Sequence, residues 1–338
     1  MSTRPQEHLE AMLKLLNGHC IEQALHVVAV LGIADQLYEC SQSACTLAAK
    51  VHVDPQALDR VLALLSAIDV FSKSEDGNYS LTDMGTTLRS DVHNSVRDRA
   101  MFYGSTEMWK AWGQLMHSVE TGNSAFAHAH DVGFYEFLSN TPDIAAPFNR
   151  YMTTTSAQQM AALLDAYDFS QFSSIADIGG GQGGTLAVIL RSAPKLNGIL
   201  FDLPAVISSA GTIEEPAVST RVTRVAGNMD EFVPRDCDAY LIKWVMMDRP
   251  DDAVVRLLDH CRKAMREGGK VLVVEIVLPV GRPPAFAALL DVQMMLLSGR
   301  ARLRNAHEWQ SLFEKAGLPV ARFIDTHSPN TIIEGSYR

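Results

Sequence analysis

A run of glycines that follows an acidic residue is the first feature of this sequence with evident chemical potential. The run lies in Ile175–Gly184 (IADIGGGQGG), with Asp177 just ahead of it, and Gly179, Gly181 and Gly184 satisfy the spacing G-x-G-x-x-G. Glycines permit the positive φ angles of a tight turn and let a ligand approach the backbone closely. The pattern therefore predicts a binding turn for a nucleotide-like ligand, between an apolar segment and a helix-forming one.

Two aspartates limit the class of ligand that this turn could bind. Asp202 ends the next apolar run, where its carboxylate can bind both hydroxyls of a ribose, as in sites for NAD and for S-adenosylmethionine. Asp177 would repel a pyrophosphate, but it can help to hold an ammonium group. These charges favour S-adenosylmethionine, which has an amino-acid tail and no phosphates. A nicotinamide-dependent oxidoreductase and a glycine turn without a ligand remain as alternatives.

The elements around this turn have the pattern of an α/β domain. From residue 173 onward, short apolar runs alternate with amphipathic segments, which predicts a parallel, doubly wound (Rossmann-like) sheet. The predicted strands are Ser174–Ile178, Asn197–Phe201, Arg221–Ala226, Ala239–Val245 and Lys270–Val277, and the predicted helices are Gly184–Ser192, Pro204–Ala210 and Asp251–Arg266. Leu318–Asp325 and Thr331–Tyr337 are candidates for closing, antiparallel strands.

The first half of the chain is predicted to be mainly helical. Apolar residues recur at helical spacing over Glu7–Leu31, Asp54 and Pro55 give an N-cap and first-turn proline, and Val70–Leu81 fits a β-hairpin. This is the outline of a winged helix, but Arg60 is the one cation of its would-be recognition helix, which argues against DNA binding. We divide the chain into residues 1–95, a helical region 96–165 and an α/β domain 166–338.

Composition limits the classes of protein. The 338 residues include 29 Lys and Arg against 39 Asp and Glu, which gives a net charge of −10. This charge disfavours a protein whose main function is to bind nucleic-acid phosphates or an anionic membrane. The five cysteines are scattered, with no metal-ligand spacing, and no apolar run is long enough to cross a bilayer. We expect a cytoplasmic protein without a metal.

Several further segments occur in a fixed order along the chain: Leu31–Leu37, Phe148–Met152, Asp177–Gly183, Phe201–Pro204, Gly227–Met229, Leu241–Trp244 and Cys261–Met265. Together they resemble the two-domain small-molecule O-methyltransferases of the caffeic-acid and hydroxyindole type. The resemblance implies a methyltransferase domain preceded by a winged-helix-type dimerisation domain, an intertwined homodimer, and S-adenosylmethionine as methyl donor without a metal.

The resemblance also implies roles for individual residues. Gly179 and Gly181 would lie against the methionine part of the donor, and Asp202 would take the ribose. Asn228 and Met229 would flank the adenine, and Lys243 would approach the donor from the end of the next strand. Asn228 stands where the family usually has Asp, but its amide oxygen can still accept a hydrogen bond from adenine.

One departure from the family concerns the general base. The family pattern K-W-x-x-H-D-W corresponds here to Lys243–Arg249 (KWVMMDR), so Met247 replaces the histidine that removes the proton of a phenolic acceptor. The glutamate that steadies this histidine is retained as Glu275. The family's second acid has no clear counterpart, since Ala301 or Leu303 stands in that segment.

Three interpretations of Met247 stay open. The acceptor is a ring nitrogen or an already ionised oxygen that needs no base, or another group serves as the base, or methyl transfer has been lost. Without a base, catalysis rests on proximity and orientation. The substitutes for the base are Asp248 and Glu275, or His117, His128 and His130 from the middle region.

The acceptor itself is predicted from a narrower resemblance. The stretches Met101–Gly104, Ala111–Trp112 and Gly133–Tyr135 are similar to bacterial phenazine methyltransferases, which implies a flat heteroaromatic acceptor. Aromatic and methionine side chains commonly line such pockets. Our candidate acceptor-contacting residues are Trp112, Phe148, Met152, Met247 and Met294.

Overall fold

The computed structural model describes residues 4–210 and 215–336. Its N-terminal elements are α1 (Arg4–Leu16), α2 (Gly18–Val30), α3 (Ile33–Gln36), β1 (Gln42–Ser43), α4 (Ala44–Val51), α5 (Pro55–Ser66), β2 (Phe71–Lys73), β3 (Asn78–Leu81) and α6 (Asp83–Thr86). The helices α7 (Arg97–Tyr103), α8 (Thr106–Gly113), α9 (Leu115–Thr121), α10 (Ala125–His130), α11 (Phe134–Asn140) and α12 (Pro142–Ala166) follow.

The remaining elements alternate between strand and helix. They are β4 (Ser174–Ile178), α13 (Gly184–Ser192), β5 (Asn197–Asp202), α14 (Pro204–Ser209), α15 (Pro216–Ser219), β6 (Val222–Ala226), β7 (Ala239–Lys243), α16 (Asp251–Ala264), β8 (Lys270–Glu275), β9 (Val277–Leu278), α17 (Ala285–Ser298), β10 (Arg304–Asn305), α18 (Ala306–Lys315), β11 (Val320–Asp325) and β12 (Thr331–Ser336). Single 3-10 turns lie at Phe169–Gln171 and Met246–Asp248.

The chain forms two compact units. One comprises Met1–Lys110 and Leu138–Thr154, and the other Ala111–Phe137 and Thr155–Arg338. In the first unit, β1, β3 and β2 form a small antiparallel sheet in that order, and α5 packs on α2, α4 and β2. Leu47, Leu62 and Tyr79 are completely buried there. This arrangement of helices and hairpin is the predicted winged-helix outline.

Two details of the predicted helices are wrong. The apolar run Glu7–Leu31 forms two helices rather than one, because the helix ends at Leu16 and Cys20 N–H turns back to the Asn17 carbonyl. Asn and Gly are poor helix formers, and they adjoin at this break. The helix predicted to be stopped by Gly268 and Gly269 ends earlier, at Ala264, and Gly268 (φ +75°) instead turns the chain into β8.

The second unit is built on a seven-stranded sheet of order β11-β12-β8-β7-β4-β5-β6. Strands β6, β5, β4, β7 and β8 are parallel, and β12 and β11 add antiparallel strands at one side, as predicted. Successive residues face opposite sides, so that Ile175 joins one core cluster while Ala176 joins the other. Both faces are covered, which explains the nearly continuous apolar runs of the parallel strands.

No helix among the described residues is long and apolar enough to span a membrane.

Candidate functional site

The glycine turn lies at the point where the sheet changes direction. Strand β4 pairs with β5 on one side and with β7 on the other, so the chain winds outward in both directions from β4. A crevice forms at the carboxyl ends of the strands at such a point, and ligands of open α/β sheets bind there. The ends of β4, β5, β7 and β8 carry Asp177, Asp202, Lys243 and Glu275, respectively.

The glycines of the turn are required for two different reasons. Gly179, Gly181 and Gly183 all have positive φ angles, of +70°, +58° and +82°. A Cβ atom on Gly179 would lie 2.7 Å from Val245 Cγ2. A side chain at position 179 would therefore clash with Val245. A Cβ atom on Gly181 would meet no atom within 4 Å. The backbone of Gly181 therefore has the open space that a bound ligand needs.

Asp177 is a buried carboxylate with an unused oxygen. The residue is 2% exposed, and its Oδ2 atom has no hydrogen-bond partner among the described residues. Burial raises the pKa of Asp177 to about 7, and the nearby Lys243 cation opposes this shift. A buried, unpaired oxygen of this kind is costly unless a ligand satisfies it.

Asp202 is held in place by the glycine turn. Its Oδ2 accepts a hydrogen bond from Gly181 N–H at 2.8 Å, and its Oδ1 accepts one from Leu203 N–H at 2.7 Å. Burial raises the pKa of Asp202, while these two backbone hydrogen bonds lower it. The carboxylate is thus fixed beside Gly181, where each of its oxygens retains capacity for another donor.

Lys243 and the Asn228–Met229 pair complete this side of the site. The Lys243 ammonium donates to Ser156 Oγ at 2.9 Å, and burial lowers the pKa of Lys243 to about 8, against the effect of Asp177. Asn228 Oδ1 accepts from Asp230 N–H at 3.0 Å. The Met229 methyl group would lie 3.2 Å from a Cβ atom on Gly179, so Met229 borders the glycine turn.

Glu275 contacts the 3-10 turn at Met246–Asp248 through its backbone. The Oε1 atom of Glu275 accepts from Met246 N–H at 3.0 Å and from Met247 N–H at 3.2 Å, whereas Oε2 is buried and has no partner in the described chain. Burial raises the pKa of Glu275 to about 8, and the neighbouring Asp248 acts in the same direction. Glu275 is therefore mostly neutral at pH 7 and is a poor base.

Arg304 braces the same turn from inside the protein. Its side chain is fully buried, and it donates to the Met246 carbonyl at 2.9 Å and to the Arg249 carbonyl at 2.7 Å. Its guanidinium also lies 2.8 Å from Asp251 Oδ1. The backbone on both sides of Met247 and Asp248 is thus fixed by one cation.

Asp248 carries the other carboxylate of the turn. The Tyr135 hydroxyl, from α11, donates to Asp248 Oδ2. Burial raises the pKa of Asp248 to about 6, and the hydrogen bond from Tyr135 lowers it. At pH 7 Asp248 is mainly ionised, so the position after Met247 presents an anion.

The predicted acceptor-contacting residues lie in both units. In the second unit, Met247 and Met294 are 6% and 5% exposed and Trp112 is half-buried. In the first unit, Phe148 and Met152 are half-buried on α12, and the Phe148 ring lies 5.0 Å from that of Phe102.

The histidines considered as bases make contacts among themselves and with phenylalanines. The rings of His117 and His128 stack at 4.0 Å, and the ring of His130 lies 4.5 Å from that of Phe126. Over the ranges 4–210 and 215–336, no group of three or more His, Cys, Asp or Glu residues has the geometry to hold a metal ion.

Two residues of the site were missed by sequence reasoning. Tyr135 is 113 residues away from its partner Asp248, and Arg304 is 58 residues away from the Met246 carbonyl. Neither contact follows a local pattern. The sequence shows Arg304 only as a cation in the segment that lacks the family's second acid, and its burial could not be predicted.

Two family models match the chain. The model of the O-methyltransferase domain matches residues 112–319, and that of the O-methyltransferase dimerisation domain matches residues 13–91. Together they cover most of the sequence, in the predicted order.

Individual proteins agree with these matches. The chain is 37% identical to phenazine O-methyltransferase PhzM of Lysobacter antibioticus, over 96% of this chain and 94% of that protein. It is 29% identical to phenazine-1-carboxylate N-methyltransferase of Pseudomonas aeruginosa, over 93% of each chain. Among solved structures, CalO1, a methyltransferase of calicheamicin biosynthesis in its S-adenosylhomocysteine-bound form, superposes with a TM-score of 0.84 at 32% identity, over 99% of each chain.

Proposed function

The chain belongs to the O-methyltransferase family that carries an N-terminal dimerisation domain, and we propose that its methyl acceptor is a small, flat heteroaromatic of the phenazine class. It is therefore a methyltransferase of natural-product type. We further propose that the acceptor reacts through an atom that is already nucleophilic, either a ring nitrogen or an oxygen ionised at neutral pH.

The donor side of the proposal rests on the residues of the glycine turn. The observation that carries it is the buried, unpaired Oδ2 of Asp177 beside the open backbone of Gly181. S-Adenosylmethionine, when bound, supplies a methyl group on a positively charged sulfur. Asp177 attracts the ammonium of its amino-acid tail, and Asp202 accepts hydrogen bonds from its ribose. The Asp177 carboxylate, directly before the glycines, would repel the pyrophosphate of a nicotinamide dinucleotide, which argues against the oxidoreductase alternative.

The position of Met229 beside the glycine turn, and that of Asn228 just after β6, support their assignment to the adenine. Met229 borders Gly179, and the Asn228 amide lies at the end of the strand next to Asp202. Lys243 stays near Asp177, where it moderates the buried negative charge before a donor arrives. We propose that Asn228 and Met229 flank the adenine of the donor, and that Lys243 approaches the donor from the end of β7.

The acceptor side of the proposal rests on Met247. A thioether accepts no proton at neutral pH, and burial raises the pKa of Glu275 to about 8, so this residue is mostly protonated already. A ring nitrogen needs no deprotonation, because the positive charge moves from sulfur to the new N-methyl group. An ionised oxygen needs none either, because the two charges cancel. The chain then contributes alignment of the nucleophile, the methyl carbon and the sulfur, together with exclusion of water.

Calorimetry tests the donor assignment. We expect the protein to bind S-adenosylhomocysteine and to show no tight binding of NADH. Only ionised Asp177 attracts the ammonium, and its pKa is about 7, so the affinity rises about tenfold between about pH 6 and about pH 8. Asp177→Asn weakens binding and loses this rise, at an unchanged melting temperature. Tight binding of NADH, or a wild-type affinity without the pH dependence, contradicts the assignment.

A panel of acceptors tests the acceptor assignment. Methyl transfer is measured for phenazines that offer a ring nitrogen, an acidic hydroxyl or a weakly acidic phenol, with the product identified by mass spectrometry. We expect turnover of the first two types and little turnover of the third below the pKa of the phenol. Preferred methylation of neutral phenols would contradict the assignment. Absence of turnover on every acceptor would favour a descendant that has lost methyl transfer.

A further inference from the structure

Trp244, directly after β7, has a backbone conformation that is uncommon for a bulky residue. Its φ angle is +56°, in the left-handed region that large side chains seldom adopt. Its N–H donates to the Val274 carbonyl at 3.1 Å, so Trp244 remains bonded to β8 although β7 ends at Lys243. A strained conformation of this kind persists only where the surrounding contacts hold it, and such residues cluster at functional sites.

A series of side-chain hydrogen bonds holds the indole of Trp244. Trp244 Nε1 donates to Asn330 Oδ1 at 2.7 Å, and Asn330 Nδ2 donates to Gln159 Oε1 at 2.7 Å. Asn330 is 3% exposed, and its carbonyl accepts a hydrogen bond from Thr326 Oγ1 at 2.6 Å. The Asn330 amide is therefore fixed between α12 and the end of β7, with its oxygen directed at the indole.

The indole in turn supports the ammonium of Lys243. Lys243 Nζ lies 4.5 Å from the centre of the Trp244 ring, within the range in which an aromatic face attracts a cation. Lys243 Nζ also donates to Ser156 Oγ at 2.9 Å. Burial lowers the pKa of Lys243, and the nearby Asp177 and Glu275 act in the opposite direction. The ring and the hydroxyl thus set the direction of a buried cation beside the donor residues.

The residues on either side of Trp244 both adjoin the glycine turn. Lys243 interacts electrostatically with Asp177, and Val245 Cγ2 would lie 2.7 Å from a Cβ atom on Gly179. All of these contacts lie within the second unit. Because Trp244 stands between Lys243 and Val245 in the chain, a displaced indole or a relaxed backbone at Trp244 would move both neighbours.

We propose that Trp244 and Asn330 are positioning residues for donor binding: Asn330 fixes the indole, and the indole directs the Lys243 ammonium towards the donor. This inference rests on the proposed function, because it takes S-adenosylmethionine as the ligand that Lys243 meets. Neither side chain needs to touch the donor, since each acts through Lys243. The contribution of each residue to donor affinity should therefore disappear when the lysine is absent.

A double-mutant cycle tests this dependence. The affinity for S-adenosylhomocysteine is measured by calorimetry for wild-type protein, Asn330→Leu, Lys243→Met and the double variant. We expect Lys243→Met to weaken binding about tenfold, because it removes a charged hydrogen-bond donor. Asn330→Leu should weaken binding about fivefold in the presence of Lys243 and less than about twofold in its absence. Trp244→Phe keeps a ring but loses the indole N–H, so it should give a smaller loss with the same dependence on Lys243. If Asn330→Leu does not fold, the cycle is run with Trp244→Phe.

Trp309→Phe is the matched control, because Trp309 is a buried indole of the same unit whose Nε1 has no hydrogen-bond partner among the described residues. We expect it to leave the affinity unchanged. Equal losses from Asn330→Leu with and without Lys243 overturn the proposal, because the amide then supports the fold alone. An unchanged affinity of Lys243→Met, or of both Asn330→Leu and Trp244→Phe, also overturns it. Failure of the proposed function is a separate result, in which wild-type protein itself does not bind S-adenosylhomocysteine.

Discussion

Met247 is the residue on which the chemistry of this enzyme depends most. Its side chain is buried, and it stands where the family has a basic histidine. The acidic residue that the family resemblance assigns to orienting such a histidine is present as Glu275, whose Oε2 atom has no partner within the described chain. We therefore expect the site to retain the support for a histidine base while lacking that histidine.

Restoring the histidine should extend the range of acceptors. We expect Met247→His to raise kcat/KM for a weakly acidic phenol by about 100-fold, because a positioned base contributes about 10²- to 10⁴-fold. In a pH–rate profile, the gain in kcat/KM should increase as the introduced imidazole loses its proton. Met247→Gln, which adds polarity without basicity, should give no such gain. The gain should also be reduced in the double variant with Glu275→Gln. Equal phenol activity of the His and Gln variants would rule out this account.

At the scale of elements, the 3-10 turn Met246–Asp248 is fixed from two directions. Glu275 binds its N–H groups, and Arg304 binds the carbonyls of Met246 and Arg249. A turn that presents side chains to a ligand gains precision when its own backbone has no alternative conformation. We therefore expect Arg304 to act as a positioning residue, through the backbone of this turn.

We expect Arg304→Met to lower both stability and turnover. Two buried carbonyls lose their donor, which costs roughly 3 kcal/mol in the free energy of unfolding. Arg302→Met is the matched control, because Arg302 is partly exposed and forms surface ion pairs, so its loss costs under about 1 kcal/mol. Urea denaturation gives the stabilities, and kinetics at a temperature where both variants are folded separates kcat from KM. If both variants lose the same free energy of unfolding, Arg304 does not stabilise this turn in the way described.

The elements also illustrate what could be predicted from the sequence. The parallel strands and the glycine turn were predicted within a few residues, because strand periodicity and the conformational demand on glycine are local. The break between α1 and α2 was missed, because the apolar pattern continues through Asn17 and Gly18 although the backbone does not. Tyr135 and Arg304 were missed because their contacts exist only in the folded chain. The roles of the individual site residues remain predictions.

At the scale of the whole molecule, the dimerisation domain supports a homodimer. Helix α1 carries Leu9, Met12, Leu13 and Leu16 on one stripe at helical spacing, and all four side chains are 46% exposed or more. A contiguous apolar surface of this kind typically marks a contact with another subunit.

We expect light scattering at micromolar concentration to give the mass of a dimer. The double variant Leu13→Glu with Leu16→Glu should shift the equilibrium to the monomer, since it introduces two charges into the apolar stripe. Lys14→Glu, on the polar side of the same helix, is the matched control and should remain dimeric. A monomeric wild type, or a double variant as dimeric as the control, would contradict this expectation.

The hydrogen bonds that Glu275 accepts from main-chain N–H groups have an evolutionary consequence. Because the turn is anchored through its backbone, the hydrogen bond from residue 247 to Glu275 does not depend on the side chain at that position, and only proline, which has no N–H, would remove it. A few nucleotide changes in one codon can therefore exchange a proton-abstracting side chain for an inert one. Such a substitution would allow enzymes of this family to change, during evolution, between acceptors that must be deprotonated and acceptors that need no deprotonation.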